Sequence, residues 1–363
     1  MEKKAISFQK ITYLLITIVL GFIVLQKGQF ILGPVFFAIL FSVMLQPVCA
    51  FYERLIKYKI PSVLLTILTA IIPLGIIITL FSVQLSSIIQ NLPDITGKIG
   101  AGLEEALIWI KDNLNIKASD LEENIPSLVN NSLSFVQKGI TSSTTFVFNF
   151  LFNFLLVFFL LWYRDSFNNF ILIQSKPERR DEVKHIIRQI KKTIQGYLYG
   201  LIVVIVILAV LNSIGLLIIG IDYAIFWGIL AAFLAVIPYI GTTLGGTLPF
   251  LYALATAGNW WQPAAIVGMY MVIQSLEGNI ITPNVVGNSV SINPLVALLS
   301  IILGGFIWGI SGIILAIPLT AVVKIMLEHT DRLKPIAFIM SNKVHKQNDE
   351  FWKKWDKEQY RIK

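Results

Sequence analysis

The chain has 363 residues, of which 56% are hydrophobic and only 14% are charged. Soluble domains carry about 25% charged residues, so this composition excludes an ordinary soluble enzyme or binding domain. The net charge of +8 fits the cytoplasmic excess of Lys and Arg in membrane proteins better than a nucleic-acid partner, and the single cysteine, Cys49, excludes a disulfide framework within the chain. Several apolar runs reach the ~20 residues needed to cross a bilayer, which predicts an all-α polytopic membrane protein with about eight transmembrane helices.

Residues 1–90 predict three transmembrane helices. Apolar runs cover residues 11–26, 30–50 and 63–89, and a basic turn at residues 54–59 separates the second run from the third. Because no small-residue cleavage site follows the first run, we expect a retained helix rather than a cleaved signal peptide.

Residues 91–145 predict an amphipathic helical insert outside the membrane. Apolar residues recur at spacings of three and four, from Leu92 and Ile95 to Ile110 and Leu114, which is the pattern of a helix with one apolar face. The insert holds seven acidic residues and four lysines, a net charge of −3. The positive-inside rule therefore places it on the extracytoplasmic side, where its apolar face offers a contact for a second copy of the chain.

Residues 146–198 predict a fourth transmembrane helix followed by an amphipathic helix in the cytoplasm. The apolar run 146–163 is rich in Phe, and residues 164–192 carry eight basic and four acidic residues, a net charge of +4. The same charge rule places this segment and the N-terminus in the cytoplasm. The amphipathic helix either lies in the membrane interface or packs on the protein itself, and it leads into a fifth span at residues 199–219.

Residues 199–330 predict a transmembrane transport region with irregular helices. Two apolar pieces, residues 223–239 and 244–257, either span the bilayer or form a re-entrant hairpin. Broken helices of this kind place helix ends and freed backbone groups at a central binding site in secondary transporters.

A second irregular segment covers residues 295–327. As one helix it would extend about 50 Å, against a bilayer core of ~30 Å. We therefore expect two half-length helices that fold back near Gly304 and Gly305 or near Gly309. The basic residues of the tail, residues 331–363, favour this hairpin because it leaves the C-terminus in the cytoplasm.

Four motifs in the C-terminal half carry a family resemblance. The first motif, which begins at Glu277, is E-G-N-x-I-x-P-x-V-x-G, and the second, which begins at Asn293, is N-P-L. The third covers residues 304–319 and reads G-G-x-x-W-G-x-x-G-x-x-L-A-x-P-L, and the fourth covers residues 237–241 and reads I-P-Y-I-G. Together with the order of segments, they resemble the AI-2E family of bacterial membrane transporters, which includes PerM-type permeases and is named after an exporter of autoinducer-2. Many relatives are expected to carry His where this chain has Asn293, so the resemblance implies no proton relay by His there.

The resemblance implies a multi-pass transporter of the bacterial inner membrane that is not an enzyme and holds no cofactor or metal. Its partners would be the lipid bilayer, a small-molecule or ion substrate and further copies of the chain, with a pentamer as the implied assembly. Family members have been linked to two activities, export of a small polar solute such as autoinducer-2 and sodium (or lithium)–proton exchange. We rank export first, because the chain has few buried carboxylates. A non-transporting membrane scaffold is the alternative from another class.

Glu277 is the first candidate for a transport or coupling residue. A carboxylate between apolar segments must face a partner, a cavity or water. The alternative is a structural carboxylate at the membrane boundary, capped by Asn279 or by backbone amides. Gln274 lies one helical turn earlier and shares the face of Glu277, and it completes the predicted group with Asn279.

Proline and glycine residues in the irregular segments are candidates for a solute path, because they can free backbone groups. They can equally serve close packing between helices or shape a loop. These residues are Pro238, Gly241, Gly245, Gly246, Pro283, Gly287, Pro294, Gly304, Gly305 and Gly309. The sequence contains no phosphate-binding loop that would imply ATP, and no catalytic pair supports an intramembrane enzyme.

Overall fold

The structure is a computed structural model that describes residues 8–90, 143–237, 240–257, 259–287 and 290–342. Within these ranges the chain is helical apart from short turns and one isolated antiparallel bridge, so the predicted all-α class is confirmed. Almost all of the predicted outer insert, most of the charged tail and Pro238 lie outside the described residues, and the predictions made for them remain predictions.

The described residues form twelve α-helices, numbered here in chain order. They are α1 (Phe8–Lys27), α2 (Gln29–Ile56), α3 (Lys59–Gln90), α4 (Ser143–Trp162), α5 (Arg164–Gln174), α6 (Arg180–Ile219), α7 (Ala224–Leu234), α8 (Ile240–Thr256), α9 (Trp261–Leu276), α10 (Thr282–Val285), α11 (Pro294–Glu328) and α12 (Lys334–Ile339).

Five segments of the described chain are helices long and apolar enough to cross a membrane. They are Gln29–Ile56, Lys59–Ile88, Pro177–Ile219, Trp261–Val285 and Pro294–Glu328. A sixth span results if α4 and α5, which are bent by 59° relative to one another, form one broken crossing. The predicted multi-pass architecture is confirmed. The amphipathic segment before the fifth span also runs into it as predicted, since α6 is continuous over 40 residues.

The chain divides into two compact units. The first, called the terminal unit here, comprises Met1–Val63, Phe152–Tyr197 and Ser289–Lys363. The second, called the central unit, comprises Leu64–Leu151 and Leu198–Asn288.

In the terminal unit, charged residues join the turn after α2 to the bend between α4 and α5. Arg164 pairs with Glu53 and also contacts the Sγ of Cys49 at 3.2 Å. Beside this pair, Lys59 donates from Nζ to Asp165 over 2.7 Å. Lys59 of the predicted basic turn is therefore paired with an acidic residue at the bend, and Arg164 of the bend is paired in turn with Glu53 at the end of α2.

The long helix α11, also in the terminal unit, folds back on itself. Its helical geometry breaks at Trp308 and at Gly309, which has φ +58° and ψ −136°, a conformation that only glycine adopts readily. The hydroxyl of Thr320 donates to that of Ser300 at 2.9 Å, although a straight helix would separate them by about 30 Å. A side chain on Gly304 would overlap the backbone across the hairpin. The predicted pair of half-length helices is confirmed, with its tip at residues 308–309.

Asn293 fixes the start of α11. Its side-chain oxygen accepts from the amide of Val296 at 2.8 Å, and Pro294 follows as the first helical residue. This is an ordinary helix N-cap with proline at N1. The backbone amide of Asn293 donates to Met340 at 2.9 Å, and its side-chain amide donates to the carbonyl of Ile339. Asn293 therefore links α12 to the start of α11.

In the central unit, α7 and α8 pack against one another, an arrangement that agrees with both alternatives given for residues 223–257. Trp227 and Tyr252 have ring centroids 5.4 Å apart, and a Cβ on Gly245 would lie 3.0 Å from the Cα of Ala231. These pairs run in opposite directions along the two helices, so the helices are antiparallel. The close approach of their backbones requires the missing side chain of Gly245.

Helix α6 packs against both α7 and α9 through small residues. A side chain on Gly228 of α7 would overlap Ser213 of α6, and one on Gly215 of α6 would overlap Met269 of α9. Lipid tails are as apolar as these helices, so close packing rather than burial from water holds such contacts together. The resulting arrangement of α6, α7, α8 and α9 frames the site described next.

Candidate functional site

Helix α9 does not end at the polar stretch that begins at Glu277 but continues through a π-helical turn, Glu277–Ile281, into α10. We expected a loop in the proline-containing stretch after Asn279, and that expectation is wrong as far as Val285, because the chain stays helical there. Pro283 is the second residue of α10, directly after the π-turn, and the chain stays helical through it. The wider π-turn starts at Glu277 and changes the direction in which the following residues face.

A pocket of about 270 Å³, measured with its open mouth, lies within the central unit. Helices α6 to α9 and the start of the π-turn each contribute to its wall. The lining residues are Leu208, Asn212, Ala231, Ala235, Thr242, Gly245, Tyr270, Ile273, Gln274 and Glu277. That figure includes open solvent, and the part that the centres of water molecules can occupy is about 20 Å³, room for about one water molecule or one small cation.

Four of these residues come from one stripe of a single helix. Tyr270, Ile273, Gln274 and Glu277 follow the spacing of three and four that brings side chains to one face of a helix. Continuing α9 as far as Glu277, rather than ending it earlier, is what keeps the carboxylate in line with this face.

Glu277 is the single charged residue of the pocket wall. It is half-buried, and the side chain of Gln274 lies within hydrogen-bonding reach of its carboxyl group. The wall contains no Lys, Arg or His to balance its charge. A negative site without a built-in cation attracts a proton, a metal cation or a hydrogen-bond donor and repels anions.

Two further polar residues of the wall were not predicted from the sequence. Asn212 is 3% exposed, and its side-chain oxygen has no hydrogen-bond partner among the described residues. The hydroxyl of Tyr270 is likewise buried without a partner there. The signal for Asn212 was present, because an Asn in the middle of the apolar run of α6 is a polar group within a membrane span. Nothing local marked Tyr270.

Of the predicted site residues that the structure describes, three line the pocket and the others do not. Glu277, Gln274 and Gly245 line the pocket together. Asn279 does not join them, since its side-chain amide donates to the Ser275 carbonyl at 3.0 Å, one turn back on its own helix.

The predicted path glycines and prolines mostly serve packing or turns. A side chain on Gly241 would overlap the carbonyl of Leu234, and one on Gly246 would press on the ring of Tyr270 at 3.2 Å. Pro283 and Gly287 belong to α10 and the turn after it. The remaining described members, which are Pro294, Gly304, Gly305 and Gly309, belong to the α11 hairpin of the terminal unit.

The sequence profile of AI-2E family transporters matches residues 13–332, which is most of the chain. The chain belongs to the AI-2E family. YueF of Bacillus subtilis strain 168, designated a candidate transport protein, is 27% identical over 89% of this chain and 93% of its own length. The AI-2 transport protein TqsA of Escherichia coli K12 is 35% identical over 33% of this chain and 35% of its own length. PerM of the same strain, designated a candidate permease, is 24% identical over 41% of this chain.

Membership in the AI-2E family and the apolar spans together identify a multi-pass transporter of a bacterial membrane. The lipid bilayer and a small solute are its expected partners. The family resemblance inferred from the four motifs is thereby confirmed, and it extends over both units of the chain.

Proposed function

We propose that this AI-2E transporter moves a small polar solute through the central unit, with the pocket around Glu277 as the solute or coupling site. The observation that carries the proposal is a half-buried carboxylate in a pocket wall that holds no basic residue. An ionisable group within a membrane span is costly and is generally retained for a function. The π-turn that begins at Glu277 adds support, because such turns are frequent at functional sites.

The transported solute that we propose first is autoinducer-2 or a molecule of similar size, moved outward. The support is the likeness to TqsA, which is named as an AI-2 transport protein, and the outward direction rests on the family resemblance alone. Sodium–proton or lithium–proton exchange is the alternative, and it would use Glu277 as the group that alternately holds a proton and a cation. A non-transporting scaffold would be expected to have a closed and fully packed core, which the open pocket in the central unit does not favour.

The orientation and assembly are part of the same proposal. We infer that both termini are cytoplasmic, that residues 91–145 form the extracytoplasmic insert, and that residues 199–330 carry the transport function. The support for the orientation is the distribution of charge along the sequence. A homo-oligomer, with five copies as the family resemblance implies, is proposed on that resemblance alone.

Flux in sealed proteoliposomes tests the role of Glu277. Vesicles loaded with autoinducer-2 are compared with vesicles that hold a pH-sensitive dye under an imposed pH gradient, with sodium or lithium added outside. We expect autoinducer-2 efflux in the wild type and at least a tenfold slower efflux in Glu277→Gln. Dissipation of the pH gradient by sodium, lost in the same variant, would instead establish the exchange reaction.

Glu182→Gln provides the matched control. Glu182 lies at the exposed start of α6, so the same chemical change there removes a carboxylate without touching the pocket. Equal loss of flux in both variants, or full flux in Glu277→Gln, would remove Glu277 from the mechanism. An absence of both activities in the wild type would contradict the proposed function.

A further inference from the structure

Helix α5 of the terminal unit has three faces with different surroundings. The first face contacts the protein, since Arg164 pairs with Glu53 of α2 and the side-chain oxygen of Asn168 accepts from Nζ of Lys191 at 3.3 Å. The second is apolar and exposed, and its residues follow a spacing of three and four: Phe167, Phe170 and Ile171. The third is polar and exposed, and it includes Ser166 and Asn169. No residue of α5 is buried, so none of the residues that the structure describes covers its apolar face.

The direction and composition of α5 fit a helix that lies along the membrane surface. It is bent by 59° from α4, the apolar helix that precedes it. Six of its eleven residues are polar or charged, and as the second half of a crossing it would carry them into the hydrocarbon core. A helix in the plane of the interface instead places its apolar face among the acyl chains and its polar face in water. The three faces of α5 meet this requirement, with the protein on the remaining side.

Two ion pairs place the start of α5 at the level where the membrane spans end. Arg164, its first residue, pairs with Glu53 in the last turn of α2. Asp165 pairs with Lys59, the first residue of α3, at 2.7 Å. Because α2 and α3 are both long and apolar enough to span the bilayer, the turn that joins them lies at a membrane surface. The start of α5 lies at the same surface.

The end of α2 extends the exposed apolar surface and adds a cation to it. Phe51, Arg54 and Leu55 are exposed and follow the spacing that brings side chains to one face of a helix. Tyr58, in the turn that follows, is 71% exposed. Tyrosine is enriched at the level of the lipid headgroups, and an arginine there can lay its stem along apolar surface while its guanidinium stays among the headgroups.

The charge around this surface is positive. Residues 51–60 hold three basic residues and one acidic residue, a net charge of +2, and residues 164–192 carry a net charge of +4. Lys176 and Arg180 follow α5 closely in the chain and are exposed. Like Arg54, they form no ion pair with any residue that the structure describes. Exposed cations beside an apolar helix face attract anionic lipid headgroups.

We propose that α5 and the end of α2 form a binding surface for anionic phospholipids, with the apolar face of α5 among the acyl chains and Arg54, Lys176 and Arg180 at the phosphates. A second copy of the chain is the competing occupant, but a chain with a net charge of +8 is poorly matched to a cationic surface. The surface belongs to the terminal unit, whereas the pocket around Glu277 belongs to the central unit. The inference therefore does not rest on the proposed transport function.

Quenching of a fluorescent label by brominated lipids is the closing experiment. The background is Cys49→Ser, which removes the single native cysteine, and Phe170→Cys adds a site on the apolar face for a bimane label. The labelled protein is reconstituted into mixed bilayers in which either the phosphatidylglycerol or the phosphatidylcholine carries bromine on its acyl chains. With the lipid composition otherwise equal, the ratio of the two quenching efficiencies measures the preference for the anionic lipid at position 170.

We expect both lipids to quench the label, and brominated phosphatidylglycerol to do so about two- to fivefold more efficiently. Lys176→Gln combined with Arg180→Gln should bring the ratio close to one. Lys27→Gln is the control, because it also removes an exposed cation but lies just before α2. From Gln29, the first residue of α2, to Glu53 the helix rises about 36 Å, so this control should leave the ratio unchanged.

Three results would overturn the inference. Absence of quenching by either lipid would show that protein covers the apolar face, and cross-linking of two chains through position 170 by a bifunctional maleimide would then identify a second copy as the occupant. Equal quenching by the two lipids would remove the preference for anionic headgroups. A preference that persists without Lys176 and Arg180, or that Lys27→Gln abolishes as well, would show that the cations beside α5 are not its cause.

Discussion

The fold-back of α11 can be tested by adding a single methyl group to Gly309. At φ +58° and ψ −136° this residue occupies a region that a side chain strongly disfavours, while no atom lies within 4 Å of the position that a Cβ would take. The effect of Gly309→Ala should therefore come from the backbone alone. Strain of this kind costs about 1–3 kcal/mol.

The matched substitution is Gly21→Ala. Gly21 lies in the interior of α1, has ordinary helical geometry, and likewise has open space at its Cβ position. In a helix, alanine is favoured over glycine by about 1 kcal/mol. The two substitutions add the same atom, but we expect them to change the free energy of unfolding with opposite signs, by a difference of about 2–4 kcal/mol.

Reversible unfolding in mixed micelles of mild detergent and dodecyl sulfate, followed by circular dichroism, measures both values. Gly312→Ala is a second probe of the hairpin, because its methyl group would overlap the carbonyl of Gly304 across the fold. If α11 were one straight helix, each of these glycines would be an ordinary helical position. Stabilisation by Gly309→Ala and Gly312→Ala would therefore refute the hairpin.

Two further substitutions test the packing of the terminal unit. Asn293→Ala should lower the free energy of unfolding by about 1–2 kcal/mol through loss of the N-cap, and it should speed amide exchange around Ile339. Asn293→Asp keeps the capping oxygen, so it should recover most of the stability, but it lacks the side-chain amide that donates to Ile339, so amide exchange there should stay fast. Equal exchange rates in the wild type and in Asn293→Asp would argue against this link between α12 and the start of α11. Arg164→Ala leaves the half-buried Glu53 unpaired and should cost about 1–3 kcal/mol, whereas Lys59→Ala at the exposed pair should cost less than about 1 kcal/mol. If Lys59→Ala lowered the free energy of unfolding more than Arg164→Ala in the same assay, the argument that the Arg164–Glu53 pair is the more buried of the two would be wrong.

The pocket explains why the predicted path glycines behave differently from one another. Gly245 serves both purposes considered for it, since it lets α7 and α8 approach and also leaves part of the pocket wall open. Gly241 and Gly246 instead make room for a carbonyl and an aromatic ring. Sequence spacing could not separate these roles, because a glycine marks only that a backbone comes close and not what comes close to it.

Several features of this protein follow from the sequence because they depend on local composition. A bilayer core of fixed thickness selects apolar runs of a fixed length, so the all-α class and the main spans could be predicted from hydropathy. A fold-back of α11 followed from the same constraint, since the apolar run is too long for one crossing and contains glycines where it can turn, but the choice of Gly309 over Gly304 and Gly305 did not. Glu277 and Gln274 could be chosen as candidates because a polar group in such a run is rare.

Other features depend on which helices meet, and only the tertiary structure decides them. Asn212 and Tyr270 are 58 positions apart in the sequence, and they share a wall because small residues let α6, α7 and α9 pack closely. The continuation of α9 through a π-turn overrode the local helix-breaking signals of Gly278 and Pro283. The amino-acid sequence therefore determined which residues within the membrane spans are polar, whereas the packing of distant helices determined which of those residues line a common pocket.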